Sequence, residues 1–117
     1  PKAFSNRDRI EQVLVSLIDN AIKYADDDGS VTVEAVQAAD KLLVRVRDTG
    51  RIVDKDLPHL FERFYKADVS HSEGGTGLGL AITQEILTRL GESIAARNDG
   101  NEAILEFTVA AADRGAA

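Results

Sequence analysis

The sequence predicts an α+β fold, a two-layer α/β sandwich whose mixed, mostly antiparallel sheet carries helices on one face. Three observations predict it. Two long stretches place apolar residues at steps of three and four, which is the stripe of an amphipathic helix. Four short stretches alternate apolar and polar residues, and they arrive as two adjacent pairs with turn residues inside each pair. Strands that arrive as hairpins pair antiparallel, and one-sided helices need a sheet to cover.

The first helix is expected from about Asn6 to Tyr24, with Ile10, Val13, Leu14, Leu17, Ile18, Ala21 and Ile22 on its apolar side and Ser5, Asn6 or Asp8 as its cap. Asp26-Asp27-Asp28-Gly29 stops it and reads as a solvated turn, since a calcium loop needs ligands continuing to a distal Glu and none follow. A hairpin comes next, Ser30 to Val36 with Val31, Val33 and Ala35 on one face, then Leu42 to Arg47 with Leu42, Val44 and Val46 on one face. Residues 48–60 read as a turn leading to a short helix before Pro58, and the Gly-rich residues 66–76 as a mobile loop. The second helix is expected from about Gly77 to Leu90, with Leu80, Ile82, Ile86, Leu87 and Leu90 apolar and Gly91 ending it. Strands Ser93 to Arg97 and Ala103 to Val109 then flank Asn98-Asp99-Gly100-Asn101, whose Asp-Gly is a strong hairpin signal. One domain is expected over residues 1–112, with residues 113–117 as a frayed tail.

Composition narrows the function. With 117 residues and 14 Lys+Arg against 20 Asp+Glu, the net charge is −6, which disfavours nucleic acid and anionic membrane as partners. There is no Cys, so no disulfide framework, thiolate metal site or cysteine nucleophile. No apolar run approaches the roughly 20 residues of a membrane span, and a single soluble domain is expected. Because the chain opens on Pro1 rather than Met, it is read as a piece of something longer.

Three segments hold more polar residues and glycine than folding asks for. Asn20 interrupts the first helical pattern, with Ser16 and Lys23 as its i−4 and i+3 neighbours. Taken alone, a polar helix edge accounts for that. Asp48-Thr49-Gly50 follows an apolar strand and puts an acceptor where the backbone turns, although an ordinary turn looks the same. Gly74-Gly75-Thr76-Gly77-Leu78-Gly79 opens the second helix with four glycines in six residues, which lowers helix propensity and leaves N–H groups ready for an anion. Its spacing is neither that of a dinucleotide fingerprint nor that of a P-loop.

Taken in order, Val13 to Tyr24, Asp48-Thr49-Gly50, Phe61-Glu62-Arg63-Phe64-Tyr65 and Gly74 to Ile82 resemble the N, G1, F and G2 boxes of sensor histidine kinases. The resemblance covers nearly the whole chain and implies the Bergerat ATP-binding fold of the GHKL group. It implies that Asn20 holds Mg²⁺ bridging the ATP phosphates, that Lys23 contacts phosphate, and that Tyr24 lies near ribose or base. Asp48 would accept the adenine amine, with Gly50 and Ile52 beside the base and Ser16 at the pocket. Phe61 and Phe64 would dock an ATP lid, and Gly75, Thr76, Gly77, Leu78 and Gly79 would meet the phosphates. Asn20 and Lys23 would carry the catalysis. The implied partners are ATP, a His-bearing dimerisation domain of the same or a sister chain and, downstream, a response regulator. The implied location is the cytoplasm, without direct membrane contact, under a parent in the plasma membrane.

The chain departs from the family pattern at three places. Ser16 stands where Asn is usual and where hydrolysing relatives carry a Glu; serine is no general base near neutral pH, so steady ATP hydrolysis is not expected. Arg51-Ile52 follows Gly50 where X-Gly is usual, and Glu102 stands where a second Gly is common. Weaker ATP binding than is usual for the family is therefore expected, and the alternative reading is a degenerate binding module without kinase activity. His59 and His71 lack the surroundings of a phosphoacceptor, so the chain alone is expected to bind ATP without phosphorylating itself.

Overall fold

The computed structural model describes residues 7–25, 28–63 and 79–110. In chain order these form helix α1 (Arg7–Tyr24), strands β1 (Val31–Ala38) and β2 (Lys41–Asp48), a 3₁₀ turn (Leu57–His59), helix α2 (Gly79–Arg89) and strands β3 (Ile94–Asp99) and β4 (Glu102–Ala110). The sheet order is β1-β2-β4-β3 and all three pairings are antiparallel. The predicted two-layer architecture is therefore present. The connection through α2 carries the chain to the far edge, and β4 returns to the middle.

The core lies between the helices and one sheet face. Val13, Leu17 and Ala21 of α1 and Leu87 of α2 pack with Val44 and Val46 of β2 and Leu105, Phe107 and Val109 of β4. The period of α1 and the alternation of β2 and β4 supply that set. Of the expected apolar positions, Ile22, Val33, Ala35 and Ile82 are exposed. Ile22 is 63% exposed, because a step of one residue turns it about 100° from the buried Ala21. Val33 shares a row with the buried Val46, yet β1 is an edge strand and Val33 is 47% exposed. On α2 the inward position is Thr83, fully buried, and Ile82 turns to solvent.

Local chemistry sets the ends of the elements. Asp8 lies within the first turn of α1 instead of capping it, where its charge suits the helix dipole; Ser5 and Asn6 lie outside the described residues. Pro58 sits inside the 3₁₀ turn, whose first positions tolerate a residue without an N–H. At the end of α2, Gly91 has φ 79, its N–H donates to Thr88 O and the Glu92 N–H donates to Leu87 O, a Schellman cap at the predicted glycine. The β1–β2 hairpin turns through Ala39-Asp40, shorter than expected, with Ala39 at φ 57. The β3–β4 hairpin turns through Gly100-Asn101, with Gly100 at φ 62.

Glu92, just past the cap, ties both layers together away from the candidate site. Its carboxylate takes Lys41 Nζ at 2.7 Å, the Thr108 hydroxyl at 2.7 Å and the Ala110 N–H at 3.0 Å. Burial alone would raise this carboxyl; those bonds outweigh it and hold its pKa below the usual carboxylate value.

Candidate functional site

The two helices and the loop ends meet at the end of the sandwich opposite Glu92. α1 finishes there, and a short connection brings the chain to Val31, which pairs with Asp48 at the end of β2. The β3–β4 turn lies at the same end, since Asp48 pairs with Ala103 next to that hairpin.

On α1, residues 16, 20 and 23 share one face by helical spacing, with Ser16 and Asn20 half-buried and Lys23 exposed. Ser16 meets α2 directly. Thr83 Oγ1 stands 2.9 Å from the Gly79 carbonyl oxygen and 3.0 Å from Ser16 Oγ. A carbonyl only accepts, so the single Thr83 proton goes to Gly79 and Ser16 closes the chain by donating to Thr83. This small network allows Thr83 its burial and sets the start of α2 against the Asn20 face. A Cβ on Gly79 would lie 3.9 Å from Ser16 Oγ, an ordinary contact, so packing among the described residues does not demand glycine there.

Asp48 is 5% exposed at the last position of β2. Alternation turns it to the helix side, in the row of the core. The Gly50 N–H donates to its Oδ1 at 2.9 Å, so the carboxylate holds the turn that follows it. Thr49 is fixed to the residue just before β1: the Ser30 N–H donates to Thr49 Oγ1 at 3.0 Å and the Thr49 N–H to Ser30 O at 3.2 Å. The loop continues to Arg51, which bonds the Gly100 carbonyl and Asp54, and to Ile52, whose peptide is bonded twice by the Asn98 side chain. Phe61, half-buried, packs on the core at the start of the segment read as a lid.

Ser16, Asn20 and Lys23 are thus brought to one helix face, with Gly79 next to Ser16, while Asp48, Gly50 and Ile52 form one braced turn. Phe64, Gly75, Thr76, Gly77, Leu78 and the side chain of Tyr24 lie outside what is described, as does His71. His59 is exposed and hydrogen-bonded to Glu62 at 2.7 Å. Sequence reasoning missed Thr83 and Asn98. A polar residue on the inward spacing of α2 was the available signal for Thr83; for Asn98 nothing local distinguished it from a turn former.

Residues 5–113 match the family described as Histidine kinase-, DNA gyrase B-, and HSP90-like ATPase. The chain is 37% identical over 110 residues to the sensor histidine kinase WalK of Bacillus subtilis (strain 168), an alignment spanning 89% of this chain and 18% of WalK. The chain thus spans less than a fifth of that relative. Its fold is similar to that of the mycobacterial sensor histidine kinase MprB, with a TM-score of 0.82 at 21% identity over 93% of this chain and 76% of that one. It is also similar to the nucleotide-free catalytic domain of the histidine kinase ThkA, with a TM-score of 0.78 at 28% identity over 92% of this chain and 69% of that one. ThkA has also been solved in complex with the response regulator protein TrrA; that chain matches with a TM-score of 0.73 at 26% identity, over 91% of this chain and 29% of its own length.

Proposed function

We propose that this chain, which belongs to the histidine kinase-, DNA gyrase B- and HSP90-like ATPase family, binds ATP and serves as the catalytic domain of a sensor histidine kinase. The observation that carries the reading is Asp48, buried at the end of β2 and holding the Gly50 N–H, at the same end of the fold as the Asn20 face and the start of α2. A buried carboxylate beside a turn selects for a donor, and the exocyclic amine of adenine is one. Gly50 and Ile52 then border the base, with Tyr24 near the ribose. Lys23 offers a point charge to phosphate, and Gly75, Thr76, Gly77, Leu78 and Gly79 are assigned to the phosphates as well. Phe61, packed on the core, and Phe64 are assigned to the lid.

Mg²⁺ fits the donor set. The Asn20 amide oxygen is a hard ligand, and among the described residues no group of three His, Cys, Asp or Glu side chains stands ready to cage a metal. That suits an ion held mainly by phosphates and water with one protein oxygen. When bound it supplies neutralisation of charge on the phosphates. The chain's own residues bind and orient: Asp48, at the end of β2, fixes the base, Lys23 on α1 steadies phosphate oxygens, and the Ser16–Thr83 network holds α1 against α2. In the transfer, an imidazole nitrogen of an acceptor histidine forms a P–N bond to the γ-phosphorus as the P–O bond to ADP breaks. That histidine belongs to a dimerisation domain, and a response regulator takes the phosphoryl group next. Ser16 bonded to Thr83 offers no base for water, which supports transfer over hydrolysis. The parent kinase is assigned to the plasma membrane with this domain in the cytoplasm, a reading supported by the sensor kinases among its relatives.

Mixing the chain with its dimerisation segment and radiolabelled ATP tests the reading. Acid-labile label on the segment's histidine is expected, and Asn20→Ala should abolish the Mg²⁺-dependent transfer. Nucleotide binding without transfer would leave only a binding module.

A further inference from the structure

Asn98 makes two bonds that span 46 residues of chain: its Oδ1 accepts the Ile52 N–H and its Nδ2 donates to Ile52 O, each at 2.8 Å. A side-chain amide presents donor and acceptor together and here pairs with the main-chain N–H and C=O of one residue, as a neighbouring strand would. We infer that Asn98 is a positioning residue of the nucleotide site, holding the Ile52 peptide and with it the loop that leaves Asp48. This rests on the nucleotide reading above.

The register shows why the position suits the role. Asp48 pairs with Ala103 and Ala103 pairs with Asn98, so the three stand in one row on the helix side of the sheet. Two strand spacings, about 10 Å, separate Asp48 from Asn98. The loop crosses that gap in four residues, over the end of β4, where the buried Ala103 presents only a methyl group. It is pinned at both ends by paired bonds, Thr49 to Ser30 and Ile52 to Asn98, and the Gly50 N–H rests on Asp48 between them. Arg51 adds a bond to the Gly100 carbonyl at 3.1 Å. Arg51-Ile52 follow Gly50 with no second glycine, and the β3–β4 hairpin holds the loop from outside it. Removing the Asn98 amide releases the Ile52 end alone. The turn that presents Asp48 then gains freedom, which binding must remove again.

The full chain tests this with Asn98→Ala and, as a control, Thr108→Val, which removes the hydroxyl bonded to Glu92 at the far end of β4. Two quantities are read: hydrogen exchange of the Ile52 amide without ligand, and affinity for the ATP analogue AMPPNP with Mg²⁺. In Asn98→Ala, Ile52 exchange should speed up at least about tenfold and AMPPNP affinity fall about five- to tenfold, as expected for two lost hydrogen bonds. Thr108→Val should lower the melting temperature and leave affinity unchanged. Should the alanine variant fail to fold, Asn98→Asp keeps the acceptor and loses the donor, and a loss of about two- to threefold is expected. Unchanged Ile52 exchange overturns the inference, as does unchanged affinity in a folded variant that exchanges faster, or an equal loss in Thr108→Val. Failure of the wild type to bind AMPPNP overturns the nucleotide reading and this inference with it; equal binding by wild type and Asn98→Ala overturns this inference alone.

Discussion

Ile104 sits on the sheet face that no described helix covers, in register with Arg47 on one side and Arg97 on the other, yet it is fully buried. The charged side chains around it form a lattice. Arg47 bonds Glu34 at 2.6 Å and Glu102 at 3.2 Å, and Arg45 bonds Glu106. The hydrogen bond from Arg47 lowers the Glu34 pKa, and the same bond raises that of Arg47. Arginine stems are apolar, so Arg47 and Arg97, the row neighbours of Ile104, add apolar surface beside it. Ile104→Ala should therefore cost about 2–4 kcal/mol in urea unfolding, as in a conventional core, instead of the few tenths typical of a surface change. Asp48, Asn20 and Lys23 were legible one residue at a time because motif and helical spacing are local. Thr83, Asn98 and the burial of Ile104 were not, since each depends on partners 40 to 70 residues away in the chain.

At the scale of elements, α1, α2, β2 and β4 follow from period and alternation, and β1 shows what those signals leave out. Its Val31, Val33 and Ala35 alternate as β2 does, but alternation reports which residues share a face and not whether a helix covers it. Pairing order was equally silent: β4 between β2 and β3 follows from where α2 delivers the chain. Glu92 joins the end of α2 to β2 and β4 and gives a pH test. Its carboxyl is lowered in the folded chain, so the stability it contributes is present above the unfolded carboxyl value, near 4.3, and is lost as pH falls through the lower folded value. Glu92→Ala should cost about 2–4 kcal/mol at pH 7 for the lost charged bonds, and its gap from the wild type should narrow as unfolding is followed below pH 4. A constant gap across that range would remove the carboxylate from the explanation.

For the whole molecule, the −6 balance and the anionic ligand are compatible because charge is sorted by place. The open sheet face neutralises much of its own charge through Arg45, Arg47 and Arg97 with Glu34, Asp99, Glu102 and Glu106. The candidate site presents Lys23 and the Asn20 amide on one helix face. No described helix is long and apolar enough to cross a membrane. Binding should thus fall only modestly with salt, since few charges and one braced turn carry it. The most direct measurement is calorimetric titration of ATP and GTP analogues with Mg²⁺ into the wild type and Asp48→Ala. Heat from the ATP analogue, at an affinity weaker than low micromolar, with little from the GTP analogue and none from the ATP analogue in a folded Asp48→Ala, is the predicted result. Equal heats from both nucleotides, or an Asp48→Ala variant that binds as the wild type does, would contradict it.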